Sequence, residues 1–172
     1  MPLTDDSVVL DIGSKDGKKA NYLINKGSLV MSDIVRRNLS PLVVLDATCL
    51  PFKDNSIDLV TMLHVLEHFK DGNLAVEEIY RVLKSNGSVL IVTPNARRLT
   101  KIYSMLLRFF GRSQDKYPMN PDHVLEYDAS NIELVMRNSA FKEHVIEPIF
   151  MASRFIRIRK YCDQWFIYAK KP

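Results

Sequence analysis

Ser7–Gly17 reads SVVLDIGSKDG, a β-branched apolar run that breaks into a short loop bounded by Gly13 and Gly17. The run is apolar enough for a strand covered on both faces, as the strands of parallel sheets are. After the loop, Ala20, Leu23 and Ile24 recur at helical spacing, which predicts a short helix. Strand, glycine loop and helix in that order form the opening unit of an α/β fold.

The same alternation continues outward. Ser28–Asp33 (SLVMSD), Pro41–Ala47 (PLVVLDA) and Ile57–Leu63 (IDLVTML) read as the next three strands. Asp71 is placed to cap a helix running to about Lys84, with Leu74, Ile79, Val82 and Leu83 expected on its inner face. Asn86-Gly87 marks a turn before a fifth strand, Ser88–Thr93. Arg97 to about Phe110 then reads as a basic, strongly apolar helix ended by Gly111. Asp128 is a candidate cap for a helix through Arg137, and EHVIEPIF (143–150) and QWFIYAKK (164–171) read as two final strands. Repeats of this kind predict a mostly parallel sheet.

With 172 residues, 47% hydrophobic and 26% charged, the chain can bury one sizeable core. No apolar run approaches the roughly eighteen residues of a membrane span. The first residues lack the basic and apolar regions of a secretory signal, so a cytoplasmic protein with reduced Cys49 and Cys162 is expected. The net charge of +4 is uneven: residues 1–86 carry 10 Lys/Arg against 12 Asp/Glu, and residues 87–172 carry 14 against 8. The basic second half bears on the partner more than on the fold.

In a doubly wound sheet the ligand lies beyond the carboxyl ends of the strands. Here the first three strands end in Asp11, Asp33 and Asp46, three carboxylates brought to one edge, and the fourth leads into His64. Such a set suits a cationic or hydroxyl-rich ligand. His64-Val65-Leu66-Glu67-His68 also matches H-x-x-E-H, an inverted zinc-peptidase motif. That alternative needs both histidines on one helical face, whereas the motif directly follows a buried strand.

Four segments in order carry a resemblance: VLDIGSKDG (9–17), DATCLPFKDNSIDLV (46–60), EIYRVLKSNGSVLIVTPN (78–95) and HVLEYDASNIELVMRNSAF (123–141). Together they resemble the class I S-adenosylmethionine-dependent methyltransferases, in the subgroup typified by small-molecule and quinone-biosynthesis enzymes. The resemblance implies a Rossmann-like, doubly wound, mostly parallel seven-stranded sheet of order 3-2-1-4-5-7-6 with the last strand antiparallel. It implies one N-terminally minimal domain, 1–172, with 1–95 as the cofactor-binding half. Residues 96–172 would supply a lid helix, the substrate side and the final hairpin.

The implied cofactor is S-adenosyl-L-methionine, with Asp11, Gly13, Ser14, Lys15, Gly17, Asp33, Ile34, Asp46, Ala47 and His64 as its binding residues. Gly13 and Gly17 match the first and last glycines of the family loop, and Lys15 stands at the middle one. That lysine is placed either to reach the cofactor carboxylate or to crowd the pocket. Asp33 matches the acid that binds the ribose hydroxyls, Asp46 and Ala47 the adenine-edge contacts, and Asp11 a residue orienting the loop or the cofactor ammonium. Some quinone-related relatives bind a divalent metal through a Glu one turn before a Glu-His pair. His64 replaces that first Glu, so no metal is expected.

His64, His68 and His123 are the candidate catalytic residues, because neutral imidazole is matched to proton removal near pH 7. His144, within an edge strand, is expected to be structural. The chain begins almost at the first strand, whereas relatives usually carry one or two helices before it. The site is therefore expected to be open, or completed by a second copy or a partner chain, with Arg97–Arg112 as the lid. That segment is also a candidate for peripheral contact with anionic lipid. The stretch SRFIRIRKY (153–161) alternates charged and apolar residues, but no nucleic-acid-binding motif accompanies it, and a solvated hairpin is expected.

The leading expectation is methylation of a hydroxyl or amine on a small, anionic acceptor, attracted by Arg97, Arg98 and Lys101. A catalytically inactive cofactor-binding subunit is the alternative. A nicotinamide enzyme is disfavoured, since Asp33 lies at a ribose-binding distance from Gly13 but G-x-x-x-G is not G-x-G-x-x-G.

Overall fold

β1 (Val8–Ile12) forms the middle of the sheet because both of its faces are apolar, with Val9 and Leu10 fully buried. It pairs in parallel with β2 (Ser28–Asp33) on one side and β4 (Ile57–Leu63) on the other. β3 (Leu42–Val44) extends the sheet beyond β2, and β5 (Leu83–Pro94) runs parallel to β4. β7 (Gln164–Lys170) lies antiparallel between β5 and β6 (Glu143–Ile149). The order is β3-β2-β1-β4-β5-β7-β6, as the resemblance implied. The connections diverge on either side of β1, which opens a crevice at the carboxyl ends of β1 and β4. The computed structural model describes residues 3–23, 27–36, 42–96, 124–125, 127–150 and 162–172. Ile24, Pro41, the Arg97–Phe110 helix, the Arg97–Arg112 lid, His123 and the basic stretch 153–161 lie outside the described residues.

Both expected helix caps are present. Asp71 accepts the Asn73 amide at the start of α1 (Gly72–Val82), and Asp128 accepts the Ser130 and Asn131 amides at the start of α2 (Ala129–Asn138). The buried stripe of α1 is Gly72, Ala75, Val76, Ile79 and Val82. Leu74, expected inward, is half exposed, because about 100° of rotation per residue puts it on the side away from Gly72 and Val76. Tyr80 of α1 meets Phe141 edge-on, with ring centroids 5.0 Å apart, beyond the end of α2. Among the described residues, no helix is long and apolar enough to cross a membrane. Cys49 is exposed and Cys162 buried, and both are free thiols.

Three boundaries differ from the expectation. The helix after the loop is a 3-10 segment, Lys18–Leu23, which buries Ala20 and Leu23 at the three-residue spacing of that geometry. The third strand stops at Val44 instead of Ala47, because the Asp46 carboxylate turns back to the Thr48 amide and hydroxyl, both at 2.8 Å. The fifth strand already pairs at Leu83. Its register against β4 jumps from Ile57↔Leu83 to Leu59↔Ser88, so Lys84–Gly87 bulge out as the expected turn within a strand.

Candidate active site

The loop after β1 is held from behind by a buried polar cluster. The Asp11 carboxylate, 2% exposed, receives the hydroxyls of Ser14 and of Thr61 on β4, each at 2.6 Å. Ser32 of β2 donates its hydroxyl to the Asp11 carbonyl at 2.9 Å, and the Ser14 amide donates to the Ser32 carbonyl at 2.8 Å. Three strands are thus tied to one turn. Gly13, Lys15 and Gly17 all have left-handed backbone, with φ of 74°, 53° and 73°. At Gly13 the need is steric as well, since a Cβ there would run into the Val65 side chain. Lys15 holds this left-handed conformation between the two glycines while its side chain is exposed.

In front of the loop lies a cavity of about 810 Å³, a size suited to a small-molecule ligand. Gly13, Lys15, Asp33, Ile34, Asp46, Ala47, His64 and His68 line it, so most of the expected site residues converge. Asp11, Ser14 and Gly17 do not line it; they stand behind the loop and shape it. Of the two roles expected for Asp11, the orientation of the loop is the one its contacts serve. His144 is half-buried at 3.2 Å from Glu133, away from the cavity, in keeping with a structural role.

Along the β2–β3 wall, Asp33 is 7% exposed and accepts the Lys15 and Val35 amides, both at 3.1 Å. Those two bonds fix the carboxylate at the cavity wall. Beside it, Ile34 is 63% exposed, an apolar surface at the cavity edge, while Ala47 is buried and small. The Leu45–Thr48 wall is braced from α1. Glu78 accepts the Leu50 amide at 2.8 Å, and Arg81 donates to the Leu50 and Phe52 carbonyls at 2.9 Å.

The opposite wall is the H-x-x-E-H segment. His64 leaves β4 with φ of 60°, a strained conformation for a residue with a side chain, and its imidazole is about one-third exposed. Leu66–His68 form a single 3-10 turn rather than the helix a zinc-peptidase motif requires, which removes that alternative. The turn aims Glu67 inward. Glu67 is 1% exposed, accepts the Thr93 hydroxyl at 3.1 Å, and has its other oxygen 3.6 Å from His64 Nδ1. Burial pushes its carboxyl up, but His64, its own backbone amide and Thr93 outweigh this and hold it below the usual range. The nearby Tyr127 hydroxyl is pushed up to about 12 by burial and by the Asp71 and Glu67 charges. Glu67, visible in the sequence only as part of the H-x-x-E-H pattern, also lines the cavity.

The strand order and the cavity at the strand ends agree with the resemblance to class I S-adenosylmethionine-dependent methyltransferases. Residues 10–91 match the family described as a methyltransferase domain. A probable S-adenosylmethionine-dependent methyltransferase of Mycolicibacterium smegmatis is 33% identical over 93 residues, 54% of this chain and 32% of its own length. A demethylmenaquinone methyltransferase of Thermotoga maritima is 34% identical over 116 residues, 58% of this chain and 51% of its own length. The chain therefore spans from about a third to a half of these relatives. A SAM-dependent methyltransferase from Archaeoglobus fulgidus superposes with a TM-score of 0.73 at 18% identity, over 99% of this chain and 88% of that one. Nearly half of the chain thus matches a methyltransferase-domain family, and the relatives and neighbours it is similar to are named as S-adenosylmethionine-dependent methyltransferases.

Proposed function

We propose that this domain transfers a methyl group from S-adenosylmethionine to a hydroxyl or amine of a small, anionic acceptor, with His64 as the base. The supporting observation is the facing of two walls across one cavity: carboxylate and apolar groups on β2 and the β3 loop, and a left-handed histidine after β4. The residues present fit the cofactor. Asp33 lines the cavity where a carboxylate would accept from ribose hydroxyls, Asp46 where one would accept from an exocyclic amine, and Ile34 and Ala47 offer apolar surface to a flat ring. Lys15, which lines the cavity, would offer an ammonium to the carboxylate of the cofactor.

When bound, S-adenosylmethionine supplies an electrophilic methyl carbon on a sulfonium sulfur. The chain's own task is to align the acceptor, exclude water and remove one proton. His64 Nε2 takes that proton from the acceptor O–H or N–H, and His68, exposed on the same rim, relays it to solvent. The basic second half supports an anionic acceptor.

A second reading keeps the same base. Removing a proton from a phenol raises electron density at ring carbons as well as at oxygen. C-methylation of a hydroxylated ring is thus open to the same residues, and a relative from Pseudoalteromonas translucida is named as a C-methyltransferase of ubiquinone/menaquinone biosynthesis.

Calorimetric titration tests the cofactor: S-adenosylhomocysteine is expected to bind with micromolar affinity and NAD not at all. A methyl-transfer assay on phenols and amines with and without a carboxylate, with product analysis, tests the acceptor and separates O-, N- and C-methylation. S-adenosylhomocysteine binding without transfer to any acceptor class would move the reading to the inactive cofactor-binding subunit.

A further inference from the structure

A buried, ionised carboxylate at a cavity wall is costly unless something fixed uses it. Glu67 is held from two sides: Thr93 of β5 donates its hydroxyl to one carboxylate oxygen at 3.1 Å, and the Val124 and Leu125 amides both donate to the Glu67 carbonyl at 3.0 Å. Its remaining oxygen faces His64 Nδ1 at 3.6 Å, longer than a hydrogen bond, as catalytic contacts often are before substrate closes the site. His64 is itself held in a left-handed conformation on the cavity rim. The nearby Tyr127 hydroxyl, with its proton held tightly, adds no competing anion.

We propose that Glu67 is a positioning residue that fixes the His64 tautomer. With Nδ1–H directed at the Glu67 carboxylate, the Nε2 lone pair faces the cavity and can accept the acceptor's proton. The positive charge that then forms on the imidazole lies beside Glu67, which stabilises it. This rests on the assignment of His64 as base.

The test is ¹⁵N NMR of the histidine ring nitrogens in the cofactor-free protein, with the His64 signals identified by their loss in His64→Ala. The Nδ1–H tautomer is expected to dominate in the parent. In Glu67→Gln the amide can donate to Nδ1, so the population should move to Nε2–H. The kcat should fall about tenfold or more, with S-adenosylhomocysteine affinity unchanged. Thr93→Val, which frees Glu67 to rotate, should act in the same direction less strongly and serves if Glu67→Gln does not fold. The same tautomer in parent and both variants, or a tautomer change with unaltered kcat, would overturn the proposal. If the tautomer stays constant while His64→Ala loses turnover, only the positioning role fails. If His64→Ala keeps full turnover, the base assignment itself fails.

Discussion

At the β2 end of the cavity, Asp33 takes two backbone amides from the loops beside it, while at the β4 end Glu67 takes a side-chain hydroxyl and faces an imidazole. The first arrangement makes a fixed acceptor, which suits recognition of hydroxyl groups. In the second, a charge is buried next to a group that can change protonation, which suits chemistry. Under the proposed function, one cavity divides binding from proton transfer between the two sides of β1. The neighbouring Asp11 shows a third use of the same side chain: its carboxylate receives the Ser14 and Thr61 hydroxyls and holds the loop in shape.

The division can be broken most directly at His64. His64→Ala is expected to lower kcat by about 10²–10⁴-fold, the usual contribution of a general base, with little change in S-adenosylhomocysteine affinity. Steady-state kinetics paired with calorimetry would check this, and a loss of affinity equal to the loss of rate would merge the two walls into one function. Asp33→Ala is the mirror experiment. It should weaken S-adenosylhomocysteine binding by about 1–3 kcal/mol, as expected for lost hydrogen bonds to a charged acceptor. Unchanged affinity by calorimetry would remove Asp33 from the ribose site.

The smallest expected effect is at Lys15, where the loop's conformation and its charge can be separated. Lys15→Gly should raise thermal stability by about 0.5–1 kcal/mol, because left-handed backbone costs a side chain roughly 1–2 kcal/mol and the added freedom of the unfolded chain offsets part of the gain. The same variant should bind S-adenosylhomocysteine more weakly, with the difference shrinking as salt screens the ammonium. A large gain in affinity would show that Lys15 obstructs the cavity.

Much of this was legible before any coordinates. The strand alternation, the two capped helices and the final hairpin follow from local patterns of apolar residues and turn-forming side chains, because those act between near neighbours. So did the convergence of Gly13, Asp33, Asp46 and His64, since a doubly wound sheet brings its strand ends to one edge. The end of β3 was not legible. PLVVLDA has strand composition throughout, yet a local bond from Asp46 to Thr48 takes the chain out of the ladder. Leu74 is apolar yet half exposed, because its angle on the helix and not its apolarity sets the face it takes.

The sequence alone determined the order of the strands' chemistry: a glycine-bounded loop after the first and an acid at or just beside the end of each of the first three, each a property of adjacent residues. Only the tertiary structure decided how those groups share the work. Thr61 reaches Asp11 across 50 residues of chain, and Thr93 reaches Glu67 across 26. No spacing rule encodes such pairs, because they form only where parallel strands align in register. That alignment places Asp11 behind the loop, and it turns Glu67 from one more acid in a helical-looking motif into a buried carboxylate beside His64.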